Sequence, residues 1–286
     1  MIMSKRRSVV MLGLAVLLGM PLLAAGQTVE AARAALPESV RAAGVLRVAT
    51  SLQWPPFAYM SAAGAPDGID VRLMKLLAGK LGLRPEIEDV KFPSIVPGVA
   101  NGRFDAGVDQ INITAERSKV VDFIPYSKDG MGLLVRKGSS GIDVNSVCGR
   151  TLVLTQGSAQ VGIADKLSAK CVAAGQKPIA SLLYPNSADA YLALANGRGD
   201  GFLTGRAVGV YIAKNNDKLS MTDATLPDLV SVSGIVVAKG NTAMRDALRL
   251  ALESAVADGS YQKILAEFQV LDDALDLEQI RNPPPV

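Results

Sequence analysis

Arg117 and three polar strings, Asp109-Gln110-Ile111-Asn112, Gly157-Ser158-Ala159 and Thr204-Gly205-Arg206, are where this 286-residue chain can do chemistry. That chemistry is recognition of a small charged group by hydrogen bonds. The guanidinium of Arg117 offers a planar fork of donors that fits a carboxylate in a bidentate, charge-assisted contact. It can equally pair with its neighbours Glu116 or Asp122. Gly157-Ser158-Ala159 reads as a strand-to-helix turn, and the free N–H groups of a helix N-terminus suit an anion; an ordinary turn is the competing reading. Thr114 and Asn112 can cap turns or face a ligand. Covalent and metal chemistry are pruned by composition. With no histidine and two cysteines, a Ser-His-Asp or Cys-His arrangement is excluded, as are imidazole zinc sites and four-thiolate sites. No cofactor and no metal are expected. Gly197-Arg198-Gly199-Asp200-Gly201 lacks the Lys-Ser/Thr of a phosphate loop and reads as a turn.

The elements that would position these residues show an internal echo. Ala100-Asn101-Gly102-Arg103-Phe104-Asp105 recurs as Ala195-Asn196-Gly197-Arg198-Gly199-Asp200, and Leu133–Gly138 recurs in type as Ile235–Gly240, in the same order. Asn-Gly is a helix stop, with Gly at the left-handed C′ position and Asp opening a strand. The first unit runs strand Val45–Thr50, a proline-rich loop, helix Ile69–Leu81, strand Glu86–Val90, helix Pro93–Asn101 and strand Asp105–Asp109. The second runs strand Thr151–Thr155, helix Ser158–Ala174, strand Pro178–Leu183, helix Asn186–Asn196, strand Asp200–Thr204 and helix Arg206–Asn215. Met244, Ala247, Leu248, Ala251, Leu252, Ala255 and Val256 then trace a helical face of period 3.6 over Thr242–Ala257. Strand-helix alternation predicts an α/β fold with mostly parallel sheets flanked by helices. Ligands in such sheets bind off the carboxyl ends of strands, which are the Asp109–Asn112 and Thr204–Arg206 tips.

The N-terminus reads as a targeting segment. Lys5, Arg6 and Arg7 precede the apolar run Val9–Leu23, followed by Ala24, Ala25 and Gly26, the order of a secretory signal with its small-residue cleavage site. The run is shorter than the roughly 20 residues that span a bilayer. Cleavage near Gly26 removes those three cations and no acid, lowering the basic count to the 27 of the acids. The sequence pI of about 8.8 then implies no polyanionic partner and no nucleic acid. In an oxidising compartment Cys148, at a strand start, and Cys171, at the end of the next helix, fall at the same end of a layer and can form a disulfide; two buried free thiols are the alternative.

Ile113-Thr114-Ala115-Glu116-Arg117, Val121-Asp122-Phe123 and Pro125-Tyr126 resemble the extracellular solute-binding proteins of family 3, the polar amino-acid receptors of ABC importers. So do Leu46-Arg47-Val48-Ala49-Thr50, Trp54-Pro55-Pro56-Phe57, Gly68-Ile69-Asp70-Val71 and Gln156-Gly157-Ser158. The resemblance implies a two-lobed periplasmic binding protein fold (type II-like) whose lobes are joined by two hinge strands. On that reading residues 27–129 and 234–286 form lobe 1 and 130–233 form lobe 2. It also implies a monomeric periplasmic protein that hands an amino acid or related carboxylate to an ABC permease in the inner membrane. Arg117 falls at the family's carboxylate-binding arginine, Asn112 at a ligand-bonding position, and Trp54 and Phe92 at its aromatic walls. With Asp109, Gln110, Thr114, Ser158, Thr204 and Arg206 they make the expected ligand-binding set.

One departure bears on specificity. Relatives that bind α-amino acids commonly carry an Asp after the position of Thr204, where this chain has Gly205 and Arg206. That predicts poor binding of an α-ammonium at the usual second-lobe position. The ligand would then lack that ammonium, or would carry a cation moved toward Asp109; an ordinary amino acid bound through Asp109 and Asn112 is the alternative. An enzyme on the same fold, a dehydratase of a cyclic carboxylate using Glu116 and Asp109 as acid and base, is the rival function.

Overall fold

The computed structural model describes residues 29–282, apart from the side chains of 227–229. The expected signal peptide and the proline-rich tail beyond 282 lie outside the described residues. The strands are β1 Val45–Thr50, β2 Gln53–Trp54, β3 Ala58–Met60, β4 Pro66–Asp67, β5 Arg84–Asp89, β6 Ala106–Gly107, β7 Val121–Arg136, β8 Thr151–Thr155, β9 Ala180–Tyr184, β10 Gly201–Gly205 and β11 Leu219–Ala238. Eight of them form one sheet in the order β5-β1-β6-β11-β7-β10-β8-β9, and β2-β3-β4 form a small antiparallel meander. β1 pairs parallel with β5 and β6, and β8 pairs parallel with β9 and β10. β7 and β11 run antiparallel to each other from one lobe into the other, so they are the two hinge strands of a two-lobed α/β fold.

The sequence echo has a structural meaning. Asp105 Oδ2 accepts the backbone N–H of Arg47 within β1 (2.9 Å), and Asp200 Oδ2 accepts that of Thr151 at the start of β8 (2.8 Å). In both copies the Asn-Gly stop puts glycine at positive φ, 72° at Gly102 and 84° at Gly197, where a side chain would be strained. Each lobe thus joins a helix end to a parallel strand with the same device. Buried apolar faces hold the helices down: Ile69, Leu73, Met74 and Leu77 on helix Ile69–Lys80, and Met244, Ala247, Leu248, Ala251, Leu252 and Ala255 on Thr242–Ala257. Lys80 is buried with them, its Nζ donating to Ser254 Oγ (3.1 Å) and Asp258 (2.6 Å). Removing Asp258 would strand that cation, which is the costly half of such a pair.

Three expectations need correction. The proline-rich loop after Thr50 is the β2-β3-β4 meander. The strand expected over Asp105–Asp109 is confined to Ala106–Gly107, because the chain turns at Gln110 with φ 46°. The echoed stretches that begin at Leu133 and Ile235 prove to be the ends of long strands, of 16 and 20 residues. Ser127, Lys128, Asp129 and Gly130 interrupt the apolar pattern of β7, as Ser231, Ser233 and Gly234 do in β11, because the crossing lies beneath a polar cleft.

Cys148 and Cys171 form a disulfide, with Cα atoms 5.5 Å apart and a sequence separation of 23. In the chain-entropy account a loop of this length stabilises the fold by about 3 kcal/mol. Reduction should therefore lower the melting temperature of the protein. Non-reducing mass spectrometry should find no alkylatable thiol, and two free thiols would contradict the pairing.

Candidate functional site

A small cavity of about 20 Å³ lies between the lobes, lined by Trp54, Phe92, Asp109, Gln110, Asn112, Thr155, Ser158, Gln160 and Ser187. Six of the ten expected ligand-binding residues are thus brought together. Arg117 sits at the edge of this group, half-buried, with its Cζ 5.6 Å from the centre of the Phe92 ring. Thr114 has a local task, capping the short helix Ala115–Ser118 by accepting the N–H of Arg117 (3.2 Å). Thr204 is fully buried at the end of β10, and the exposed Arg206 lines a different cavity with Tyr211 and Lys214. Thr155, Gln160 and Ser187 were missed in the sequence because each sits in an ordinary strand or helix start; only the fold turns them inward.

The guanidinium of Arg117 donates to two carbonyls, Asn112 O in its own lobe (2.7 Å) and Gly157 O across the cleft (2.9 Å). The acidic neighbours that could have neutralised it are engaged elsewhere: Glu116 with Lys119 and Asp122 with Lys239. Among the described residues Arg117 makes no ion pair. Burial lowers its pKa to about 10, so it stays cationic at neutral pH. Opposite stands Ser158, the N-cap of helix Ala159–Ala173, whose hydroxyl is buried and has no hydrogen-bond partner. An uncompensated cation at the cavity edge is joined through Gly157 O to the start of a helix whose N-cap hydroxyl is unpaired and lines the cavity, an arrangement chemically suited to a carboxylate.

The first-lobe tip is held from several directions. Gln110 donates its backbone N–H to Asp70 Oδ2 (2.7 Å), and its side-chain oxygen accepts the indole N–H of Trp54 (2.9 Å). Asn112 donates to Ser233 Oγ (3.3 Å), and Ser233 donates to Gln110 O (3.2 Å), which ties the tip to β11. Asp109 accepts from Thr50 Oγ1 at 3.3 Å. Trp54, the only tryptophan of the chain, also meets Phe202 of β10 edge-on, with ring centres 6.2 Å apart. Aromatic walls with a few converging polar groups are the usual form of a small-molecule site. Among the described residues no group of His, Cys, Asp or Glu could hold a metal ion, and no helix is long and apolar enough to cross a membrane.

Burial raises the pKa of Asp109 to about 7, opposed by hydrogen bonds from Ser51 and Thr50; Asp70 is likewise raised to about 7 by burial. A folded-state pKa above the unfolded value means that the folded chain keeps the proton longer. The stability this contributes is complete below about pH 4 and is lost as pH rises through 7. Asp109→Asn, a neutral isostere, should therefore match wild type in denaturant unfolding below pH 4. At pH 8 it should be more stable, by roughly 1–4 kcal/mol. A difference that does not change with pH would contradict the assignment.

Known proteins share this fold. Residues 46–270 match the bacterial extracellular solute-binding proteins, family 3. The chain is 26% identical to an arginine-binding protein of Corynebacterium glutamicum over 88% of its own length and 83% of that protein. It is 28% identical to the glutamine-binding protein of an ABC transporter of Bacillus subtilis, over 74% and 76%. A solved ancestral arginine-binding protein bound to arginine superposes with a TM-score of 0.72 at 30% identity, covering 79% of this chain and 98% of that one. A cyclohexadienyl dehydratase of Pseudomonas aeruginosa matches over only 30% of the chain, at 38% identity. The two lobes, the crossing strands and the match across most of the chain agree, and the chain belongs to the bacterial extracellular solute-binding proteins of family 3.

Proposed function

We propose that this solute-binding protein captures a free amino acid in the periplasm and delivers it to an ABC permease of the inner membrane. The observation that carries the reading is Arg117: a half-buried cation with carbonyl partners only, one of them Gly157 O, next in sequence to Ser158 with its unpartnered hydroxyl. The ligand carboxylate lies between them, displacing the Gly157 carbonyl from the guanidinium. Trp54 and Phe92 cover the aliphatic part, and Asn112, Gln160 and Ser187 supply polar contacts. Thr204 and Arg206 belong to the wall behind the cleft. The relatives named for arginine and glutamine support an amino acid with a long polar side chain, which would run along Trp54 toward Asp109. Closure about β7 and β11 buries the solute, and the permease reads the closed form. The lobe boundaries at 129/130 and 233/234 fall inside these strands, where a small twist moves one lobe against the other. An enzyme would need a proton donor and acceptor flanking the cleft. Glu116 is instead exposed and paired with Lys119.

A thermal-shift panel of the twenty standard L-amino acids tests this. An amino acid at 100 times its dissociation constant should stabilise the protein by about 2.7 kcal/mol, and no shift with any member would refute the reading. With the strongest member, Arg117→Ala should weaken binding about 100-fold, since a hydrogen bond to a charged group is worth about 1.5–3 kcal/mol and a carboxylate left unpaired costs more. Trp54 fluorescence provides the titration signal. Affinity within twofold of wild type would remove Arg117 from the site.

A further inference from the structure

The end of β10 is occupied by a carboxylate that does not belong to it. A Cβ built on Gly205 would lie 2.1 Å from Oδ2 of Asp129, a residue of the hinge strand β7. Real Cβ atoms do not approach oxygen so closely, so position 205 can carry no side chain while Asp129 is there. Gly205 has ordinary extended backbone, φ −60° and ψ 145°, so the glycine is not required by the turn. What it makes room for is the Asp129 side chain.

Asp129 is buried, 6% exposed, and every hydrogen bond it accepts at the side chain comes from a neutral N–H. Its Oδ1 accepts from the backbone of Arg206 at 3.2 Å and its Oδ2 from Gln110 Nε2 at 3.3 Å. Both are long beside the 2.7–2.9 Å of a charge-assisted pair. Among the described residues it has no ion-pair partner. The guanidinium of Arg206 is directed instead to Thr222 O, at 3.5 Å. Gln110, whose carboxamide bridges Asp129 and Trp54, is also a wall of the inter-lobe cavity. Asp129 itself lines the neighbouring cavity of Arg206, Tyr211 and Lys214, and the Gln110 carboxamide, on a long bond to it, is the link to the inter-lobe cavity.

We propose that Asp129 is the group that binds the α-ammonium of the amino acid, entering from the hinge strand to the place where a residue at 205 would otherwise have reached. The amino group displaces the carboxamide of Gln110 and gives a carboxylate held only by neutral donors, among them the first N–H of helix Arg206–Asn215, a charge-assisted partner. Burial, which raises the pKa of Asp129 to about 6, fits a carboxylate still short of its counter-charge. Because the anchor is part of β7, ligand capture also fixes the strand about which the lobes move. The sequence-based expectation that an α-ammonium binds poorly is thereby revised: the anchor is relocated.

The proposal rests on the reading of the cleft as an amino-acid site, and the test separates the two. Calorimetry is run with the strongest amino acid of the twenty-member panel and with its 2-deamino counterpart. Wild type should bind the deamino compound at least 100-fold more weakly. Asp129→Asn should lose at least 100-fold for the amino acid and less than threefold for the deamino compound. The exchange Asp129→Gly with Gly205→Asp should recover at least tenfold over Asp129→Gly alone, which a purely structural role for Asp129 does not predict. If wild type binds an amino acid but Asp129→Asn binds it within twofold, or the deamino compound binds equally well, Asp129 is not the anchor and the function stands. If no amino acid binds at all, both readings fall.

Discussion

A single buried carboxylate sets the geometry of the cleft. Asp70, fully excluded from solvent, accepts the hydroxyl of Tyr126 at 2.6 Å and the backbone N–H of Gln110 at 2.7 Å. The first bond reaches the hinge strand β7; the second holds the first-lobe tip in the turn that puts Gln110 at positive φ. Tyr126 in turn accepts from Tyr261 through its backbone carbonyl, and Tyr261 takes the N–H of Leu275. The C-terminal segment, the hinge and the ligand tip are thereby joined through hydrogen bonds that water does not reach. A buried carboxylate is costly unless its lone pairs are used, and the two donors that satisfy Asp70 are the ones that must be fixed relative to each other for the site to exist.

From that fixed tip the cleft is built by groups left short of partners. Arg117 has only carbonyls, Ser158 has no partner, and Asp129 has only neutral donors. Folding normally removes such deficits. Here they surround the inter-lobe cleft, Ser158 lining its cavity, Arg117 at its edge and Asp129 linked to it through Gln110, a set complementary to a zwitterion. The contact of Arg117 with Gly157 O and the edge contact of Trp54 with Phe202 bridge the lobes. Closure therefore has some stability of its own, to which a ligand adds differential affinity for the closed form.

Much of this was legible in the sequence. The repeated Asn-Gly-Arg-x-Asp string marked the two matched units, and the structure gives the reason in Asp105 and Asp200, each accepting a backbone N–H of its lobe's β1 or β8. The helix Arg206–Asn215 and the face from Met244 to Ala255 follow directly from apolar spacing. The hinge strands were not legible at full length, because Ser127 to Gly130 and Ser231 to Gly234 serve the cleft and break the alternation that marks a strand. Asp129 was invisible for a related reason. Its meaning depends on Gly205, 76 positions away in a strand with which β7 pairs, and one sequence shows neither the pairing nor the direction of a side chain. Gly205 was read as a missing acid; in three dimensions it is the space that an acid from elsewhere fills.

A crystal structure of the protein with its bound amino acid is the most direct test of the account. It should show the ligand carboxylate on the guanidinium of Arg117 with the Ser158 hydroxyl, and the α-ammonium on Asp129 with the Gln110 side chain swung away. A ligand whose carboxylate lies away from Arg117, or whose amino group leaves the Asp129–Gln110 bond in place, would contradict it.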